Sequence, residues 1–196
     1  MAGAGRVIAG TAGGIQLASA GPGTRPLADR MKQALFGSLE PILPGAAVLD
    51  LCAGTGAAGI EAISRGAARA VLVERDPGAV RVIAENLRRT GLAGSARVVR
   101  RDAVAALREL AAAGESFDLA IVDPPYAETS LRDALLACLG ARGGPLRAGA
   151  TVLATAHWRE PPPAEIGLLR SARVRRFGET AVTIYRRDAG GNADTD

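Results

Sequence analysis

The sequence contains few aromatic residues and few cysteines, and the shortage of cysteines disfavours two kinds of site. Its 196 residues include one Trp, two Tyr and three Phe. The two cysteines, Cys52 and Cys138, lack C-x-x-C spacing, which disfavours a disulfide scaffold or a zinc site and suits a reducing compartment. No apolar run approaches the length of a membrane helix, and the N-terminus lacks the charged start and apolar stretch of a secretory signal. We expect a cytoplasmic protein with no membrane partner and no bound metal.

Alanine, glycine and arginine dominate the composition, and Lys32 is the only lysine. The net charge of +4 and the pI of about 9.8 favour an acidic partner only weakly, because many soluble proteins carry as much charge. The length suits one α/β domain with a full core and a small appendage.

Residues 1–40 form a separate N-terminal zone, which we expect to be an RNA-binding lid. Arg6–Ala9 and Ile15–Leu17 predict a hairpin across Gly13-Gly14. Residues 27–40 predict a helix with one apolar face and with basic side chains pointing elsewhere. The apolar residues are Met31, Leu35 and Leu39, and the basic ones are Arg30 and Lys32.

Residues 41–187 alternate between strand and helix, the pattern of a mostly parallel sheet covered by helices on both faces. The predicted parallel strands lie at 47–49, 70–73, 98–99 and 119–122, and the helices between them at 57–64, 77–90, 103–113 and 131–139. Residues 151–154, 168–177 and 180–186 predict an antiparallel end. The arginines of 168–177 are typical of the polar face of a strand, and His157 and Trp158 indicate only a loop. Residues 188–196 predict a disordered tail.

The motif Asp123-Pro124-Pro125-Tyr126 directly follows the apolar run Leu119–Val122. The run predicts a buried strand, and the prolines end it because each lacks an N–H and fixes φ at about −65°. An acid, unpaired proline carbonyls and a flat aromatic suit a planar, amino-bearing nucleobase: the acid and a carbonyl accept the amino hydrogens, and Tyr126 stacks on the ring. The alternative is a strand end and turn, since Asp-Pro and Pro-Pro are common in turns.

A glycine-rich segment, Asp50–Gly59, joins the first predicted strand to the helix after it. Its glycines allow close backbone approach to a ligand, and Glu74, about 20 residues after Gly54, is placed like the carboxylates that bind ribose hydroxyls. The segment contains Gly-x-Gly-x-x-Gly, so a nicotinamide-dependent oxidoreductase is an alternative. However, Asp50 favours a cationic ligand over a pyrophosphate, Asp102 can accept from an adenine amino group, and Asp-Pro-Pro-Tyr has no role in hydride transfer. S-adenosyl-L-methionine fits all three observations, because it has an ammonium group, an adenine and a positive sulfur but no phosphate.

Each of these residues also has a simpler explanation. Asp50 and Glu74 can be solvated acids at strand ends, and Asp102 can be a helix cap. For Gly59, packing of helix against strand is favoured over cofactor contact.

Together these motifs resemble the class I methyltransferases and, more narrowly, the bacterial RsmD-type family, which methylates guanine N2 in small-subunit ribosomal RNA. The resemblance covers nearly the whole chain. It rests on Arg6–Gly10, Gly23–Pro26, Asp29-Arg30, Leu35-Phe36, Asp50-Leu51, Ala53–Gly56, Gly59, Glu61-Ala62, Ser64–Ala67, Asp123–Tyr126, Phe177–Ala181 and Tyr185–Arg187. The departures, those expected of a diverged paralogue, are Gly13–Ile15 for a basic Arg-Gly-Arg cluster, Leu27 for threonine, Gln33 for glutamate and Gly37 for asparagine.

The resemblance implies a Rossmann-like α/β sheet with an antiparallel C-terminal strand and a small N-terminal hairpin and helix. It also implies catalysis by Asp123, Pro124, Pro125 and Tyr126, and S-adenosyl-L-methionine bound by Asp50, Ala53, Gly54, Gly56, Glu74, Arg75, Asp102 and Asp123. We expect RNA contacts from Arg6, Arg25, Arg30 and Lys32, although these residues can equally form a solvated basic face. The expected partner is 16S rRNA or the assembled small subunit, bound by a monomer. An adenine-N6 or cytosine-N4 methyltransferase, which shares Asp-Pro-Pro-Tyr, and an inactive RNA-binding paralogue are alternatives.

Overall fold

The computed structural model describes residues 5–19 and 29–189. It consists of two compact units, residues 1–103 and residues 104–196, named here the N-terminal and C-terminal units. Arg25, predicted to contact RNA, lies outside the described residues, as does the rest of the Gly23–Pro26 segment.

The N-terminal unit alternates helices and parallel strands. Its elements are α1 (Asp29–Leu39), β1 (Ala47–Leu51), α2 (Ala57–Ser64), β2 (Arg69–Glu74), α3 (Pro77–Thr90) and β3 (Ala96–Arg100), with short 3-10 turns at Glu40–Ile42 and Ala93–Ser95. The three strands are parallel and lie in the order β3-β2-β1. All five residues of β1 and the middle four of β2 are buried, as expected for parallel strands covered on both faces.

Helix α3 begins and ends where its capping residues predict. The Asp76 side chain accepts a hydrogen bond from Ala79 N (2.7 Å), Pro77 is the first helical residue, and Gly91 ends the helix. The helical spacing of Val80, Ile83, Ala84 and Leu87 predicts that these residues form its buried face. The buried face differs from this prediction, because Ala84 is exposed while Asn86 is buried. Asn86 is buried because its side chain bonds backbone groups of other segments.

The predicted N-terminal hairpin forms, with a longer loop than expected. Val7 N donates to Ile15 O (3.0 Å) and Gly14 N donates to Val7 O (2.8 Å), but only Arg6 and Gln16 pair as strand residues. The two strands are therefore short and need contacts outside the hairpin to hold them.

Helix α2 supplies those contacts. The buried carboxylate of Glu61 accepts hydrogen bonds from Ile8 N (2.7 Å) and Ala9 N (3.2 Å), and Arg65 Nε donates to it as well (2.6 Å). Ser64 O accepts from Thr11 N (2.8 Å).

The approach of the hairpin to α2 requires a glycine at position 10. Its φ is +86°, and a Cβ built on it would lie 1.7 Å from the Ser64 carbonyl oxygen. Any side chain at position 10 would therefore push the hairpin away from the helix.

Helix α1 buries Met31, Leu35 and Leu39 as predicted, but the prediction that Lys32 points away from the packed face is wrong. The Lys32 side chain is fully buried, its Nζ donates to Arg6 O, and Asp29 Oδ1 lies 3.6 Å away. Burial lowers the pKa of Lys32, and the charges of Asp29 and Glu61 oppose that shift. The long side chain thus ties α1 to the hairpin.

The C-terminal unit is mostly antiparallel. Its elements are β4 (Phe117–Val122), α5 (Thr129–Gly140), β5 (Leu146–His157), β6 (Glu165–Ile166), β7 (Leu169–Phe177) and β8 (Thr180–Arg187), and α4 (Ala103–Ala112) begins at the boundary between the units. The strands lie in the order β4-β5-β8-β7-β6, of which only β4 and β5 are parallel. The predicted antiparallel end is confirmed. The short β6 was not predicted.

Strand β5 is much longer than the predicted 151–154, and it changes the interpretation of His157. That residue is the last of β5, where it pairs with Thr180 of β8, so its assignment to a loop was wrong.

The first residue of the predicted C-terminal tail is held by the fold. Asp188 N donates a hydrogen bond to Leu168 O (2.8 Å). Residues 190–196 lie outside the described part. No helix among the described residues is long and apolar enough to cross a bilayer.

We predict that Glu61→Ala destabilises the protein by about 2–4 kcal/mol, because two backbone N–H groups and the Nε of the buried Arg65 guanidinium lose their acceptor. Urea unfolding measures this loss, and hydrogen exchange at the Ile8 and Ala9 amides should quicken. Glu40→Ala is the matched control: Glu40 also pairs with Arg65 but is 66% exposed, so its removal should cost less than about 1 kcal/mol. Equal losses in both variants would contradict the role of Glu61 in holding the hairpin.

Candidate functional site

The glycine-rich segment after β1 turns back onto the end of β2. Cys52 has φ of +60°, the one positive φ outside glycine in the described residues, and Ala53 N donates to Val73 O (2.9 Å). Gly56 N then donates to Ala53 O (2.7 Å). A left-handed conformation at a residue with a side chain costs of order 1–3 kcal/mol and is characteristic of ligand sites.

Glu74 joins this turn to the start of α3. One carboxylate oxygen accepts from Gly54 N (2.8 Å) and the other from Asp76 N (2.9 Å). Each oxygen retains a further lone pair for a ligand hydroxyl. The sequence alternative of a merely solvated acid is therefore wrong for Glu74.

Asp50 is also more than a solvated strand end. The residue is 2% exposed, and Oδ2 accepts from Gly59 N (2.8 Å) in the first turn of α2. A Cβ at Gly59 would lie 3.1 Å from that oxygen and from Leu72 Cδ2. The packing role favoured for Gly59 is confirmed, and Asp50 fixes the helix against the sheet.

The glycines of the turn differ in their surroundings. A Cβ at Gly54 would meet no atom within 4 Å, whereas one at Gly56 would lie 3.0 Å from Leu72 Cδ2. Gly54 therefore presents open backbone that a ligand can approach, and Gly56 packs. Beside them, Arg75 and Asp102 are exposed, and Arg101 N donates to Glu74 O (3.2 Å), which brings the end of β3 to the end of β2.

Asn86 is a contributor that the sequence interpretation missed. Its buried side-chain amide donates to Thr55 O (2.9 Å) and Ala18 O (3.2 Å), and its carbonyl accepts from Ala18 N (2.6 Å). It thereby fixes the glycine turn against the segment that follows the hairpin. A polar residue on the otherwise apolar stripe of a helix was the available signal.

In the C-terminal unit, β4 leads into the second candidate site. Asp123 is half-buried, and the Thr155 hydroxyl of β5 donates to its Oδ1. Burial raises the pKa of Asp123, and the hydrogen bond from Thr155 opposes this shift. Oδ1 uses one lone pair for this bond, whereas Oδ2 accepts no hydrogen bond from the described residues, so Oδ2 is the freer acceptor for a substrate amino group.

The two prolines present different carbonyls. The Pro125 carbonyl accepts from Glu128 N (2.8 Å) and starts the turn into α5. Within the described part of the chain, the Pro124 carbonyl accepts no hydrogen bond, although its side chain is buried and rigid. A fixed, unpaired acceptor beside Asp123 matches the predicted contact with an amino group.

Tyr126 is anchored at its far end. Its hydroxyl hydrogen-bonds to Thr180 Oγ1 of β8, and its ring meets His157 edge-on with centroids 6.4 Å apart. The motif alone could not identify the contributions of Thr155, His157 and Thr180. These residues lie on β5 and β8, which are separated from the motif by α5 and further strands. Their shared position at one end of adjacent strands appears only in the fold.

The structure brings Arg6 and Lys32 into contact, through Lys32 Nζ and the Arg6 carbonyl, but it does not make them a shared exposed basic surface. Arg6 is exposed and pairs with Asp29 (3.1 Å), and Arg30 is exposed. Lys32 is buried, which argues against a phosphate contact from its ammonium group. Among the described residues, no three His, Cys, Asp or Glu side chains group as metal ligands.

The fold matches solved methyltransferases. A solved structure described as "Putative methyltransferase yhhF from Escherichia coli" is 30% identical with a TM-score of 0.80, over 94% of this chain and 98% of that one. An RNA methyltransferase from Salinibacter ruber, solved with S-adenosyl-L-homocysteine, is 20% identical with a TM-score of 0.61, over 90% and 99%, and shares the fold. The class of protein is thus a Rossmann-like α/β methyltransferase with a mostly parallel sheet and an antiparallel C-terminal strand.

The family follows from sequence. The model of the family described as "Conserved hypothetical protein 95" matches residues 5–186. Ribosomal RNA small subunit methyltransferase D of Escherichia coli (strain K12) is 34% identical over 175 residues, which are 89% of this chain and 85% of the relative. The chain belongs to this family, the RsmD family, as its motifs indicated.

We predict that Asp123→Asn is more stable than the wild type near neutral pH. Because burial raises the folded-state pKa of Asp123, this group favours folding while it is protonated, below its unfolded pKa of about 3.9. That contribution is lost as pH rises through the folded pKa. The neutral amide avoids the loss and still accepts from Thr155.

Calorimetric melting temperatures between about pH 4 and pH 8 measure this difference, which should shrink toward the acid end. Glu179→Gln, at an exposed site of the same unit, should melt with the wild type at every pH. An Asp123→Asn protein that melts below the wild type at neutral pH would show that the charged form is stabilised, against the prediction.

Proposed function

We propose that this protein transfers a methyl group from S-adenosyl-L-methionine to the exocyclic N2 of a guanine in 16S ribosomal RNA. The observation that carries the proposal is the pair of acceptors at the end of β4. Asp123 Oδ2 and the Pro124 carbonyl are rigid and available, while Thr155 holds the other carboxylate oxygen. The name of the E. coli relative supports ribosomal RNA of the small subunit as the substrate.

The two acceptors address the difficulty of the reaction. The amine on guanine C2 is a poor nucleophile, because its lone pair is delocalised into the ring. Hydrogen bonds from the amine to Asp123 and to the Pro124 carbonyl localise that pair and direct it toward the methyl donor. Asp123 need not be a strong base, since the amine becomes acidic only after it is methylated. Most of the catalysis is then positioning and electrostatics.

The turn after β1 fits the proposed cofactor. Glu74 offers lone pairs to ribose hydroxyls, and the open backbone at Gly54 allows close approach. Asp50 favours a cationic amino acid end through its negative charge, while Asp102, Arg75 and the backbone of Ala53 and Gly56 complete the proposed set. When bound, S-adenosyl-L-methionine supplies an electrophilic methyl group on a positive sulfur.

Tyr126 is proposed to hold the target base by stacking. Its hydroxyl bond to Thr180 fixes the ring before substrate binds, so little side-chain entropy is lost on binding. We further propose that the N-terminal hairpin and helix, residues 1–40, cover the RNA, with Arg6 and Arg30 as phosphate contacts. The proposed location is the cytoplasm, and the proposed active form is a monomer.

The test is transfer of tritiated methyl groups to ribosomal RNA from a strain lacking this gene, offered both as naked 16S rRNA and as assembled small subunits. Digestion to nucleosides should place the label on N2-methylguanosine. Label on N6-methyladenosine or N4-methylcytidine would instead assign the amino group of another base. Absence of label from both substrates, with cofactor binding shown by calorimetry, would reject the transfer itself.

We predict that Asp123→Ala abolishes turnover and leaves the affinity for S-adenosyl-L-methionine nearly unchanged, because the lost contact is to the amino group. Calorimetric titration of the cofactor and single-turnover methylation measure the two quantities. Asp118→Ala is the matched control and should retain turnover, because Asp118 lies in β4 and its carboxylate forms a surface ion pair with Arg147 of β5. Methylation by Asp123→Ala at the wild-type rate would overturn the mechanism.

We predict different effects for two substitutions at Tyr126. Tyr126→Phe keeps the stacking ring and loses only the Thr180 bond, so its KM for RNA should rise less than about tenfold. Tyr126→Ala also loses stacking, worth roughly 1–3 kcal/mol, and should raise KM by roughly one to two orders of magnitude. Steady-state kinetics with RNA as the varied substrate distinguish the two, and equal values would argue against stacking.

A further inference from the structure

Trp158, the only tryptophan of the chain, carries two arginines on its ring. The guanidinium carbon of Arg176, from β7, lies 3.8 Å from the ring centroid, and that of Arg159 lies 4.8 Å away. Both distances are within the range of cation–π attraction. The indole is half-buried while both arginines are exposed, so the stack lies on the surface rather than in the core.

The stack is continuous with Tyr126. The His157 ring lies 6.2 Å from Trp158 on one side and 6.4 Å from Tyr126 on the other. Phe177 of β7 and Thr180 of β8 pair at the same end of the sheet, and Thr180 bonds the Tyr126 hydroxyl. One imidazole ring therefore separates the indole that carries the two arginines from the residue proposed to hold the target base.

The backbone around Trp158 is fixed. Trp158 N donates to Glu179 O (3.0 Å), Glu160 N donates to His157 O (2.9 Å), and Arg159 N donates to His157 Nδ1 (3.3 Å). Arg176 Nε donates to Gly178 O (2.8 Å). The arginines are thus held in position before any ligand arrives, which lowers the entropy lost on binding.

Neither guanidinium is neutralised by a carboxylate of the described residues. Other arginines of the same unit have carboxylate partners: Arg132 pairs with Asp133 and Arg147 with Asp118. Arg159 and Arg176 have no carboxylate partner within residues 5–19 and 29–189. Two ordered, exposed and uncompensated cations attract an anion, and the planar guanidinium fork matches the oxygens of a phosphate.

We propose that Arg159 and Arg176, oriented by Trp158, bind a backbone phosphate of the RNA strand beside the target base. The inference rests on the proposed function, since it places the phosphate next to a base held by Tyr126. A phosphate contact carries no sequence information but sets the register of the strand. The Trp158 stack therefore positions the strand around the target nucleotide.

The ring of Trp158 reports on the surface directly, because no other tryptophan contributes to the fluorescence. We expect in vitro transcribed 16S rRNA and small subunits from the deletion strain to change the Trp158 emission, with midpoints that shift with salt. Arg159→Ala and Arg176→Ala should each raise the KM for RNA by roughly threefold to tenfold at unchanged kcat. Each should also lower the slope of log K against log salt by about one.

Arg147→Ala is the matched control, because it removes the same charge from an arginine that a carboxylate already neutralises. It should leave the KM and the salt slope unchanged. Arg176→Lys, which keeps the charge without the planar fork, should give an intermediate KM. Melting temperatures of all variants confirm that each is folded.

The outcomes separate the inference from the proposed function. A wild-type protein that methylates RNA while both arginine variants keep its KM and salt slope overturns the inference alone. A fall in kcat at constant KM would also overturn it, since that result assigns a structural role. A wild-type protein that binds RNA through these arginines but transfers no methyl group supports the inference and rejects the function.

Discussion

One hydrogen bond between neighbouring strands fixes the position of Asp123. Val122 of β4 lies opposite Ala154 of β5, so Asp123, the first residue beyond β4, lies beside Thr155, which is still within β5. The Thr155 hydroxyl occupies one carboxylate oxygen and partly offsets the cost of burial, which raises the pKa of Asp123. Asp123 Oδ2 and the Pro124 carbonyl are therefore oriented by residues that directly follow a sheet strand, not by a mobile loop. Parallel pairing of β4 and β5 is thus the constraint on which the proposed contact with the amino group depends.

The same device recurs in the N-terminal unit, where carboxylates hold backbone N–H groups. Asp50 accepts from Gly59 N, Glu74 from Gly54 N, and Glu61 from Ile8 N and Ala9 N. Ionised acceptors make stronger hydrogen bonds than neutral ones. These bonds add to the burial of Val7 and Leu17 in holding the short hairpin, and they hold the strained turn after β1.

Sequence patterns failed where a residue's environment is set by a distant segment. Lys32 is buried because the hairpin offers it the Arg6 carbonyl, and Ala84 is exposed because Asn86 takes the packed position on α3. The prediction of a loop at His157 is wrong because β5 extends beyond its apolar run through pairing with β8. Helical periodicity and local propensity depend only on residues close together in the sequence. The contact of Lys32 with Arg6 spans 26 positions, that of Asn86 with Thr55 spans 31, and His157 pairs with another strand.

The sequence by itself determined the α/β alternation, the caps of α3, the glycine turn, the Asp-Pro-Pro-Tyr motif and the family. These features are local, since each depends on residues within one or two turns or on a short motif. Only the tertiary structure decided which oxygen of Asp123 is available, that Thr180 anchors Tyr126, and that Arg159 and Arg176 stack on Trp158. Apart from the contact of Arg159 with its neighbour Trp158, those facts depend on strand pairing, which brings together side chains far apart in the chain and which no single segment encodes.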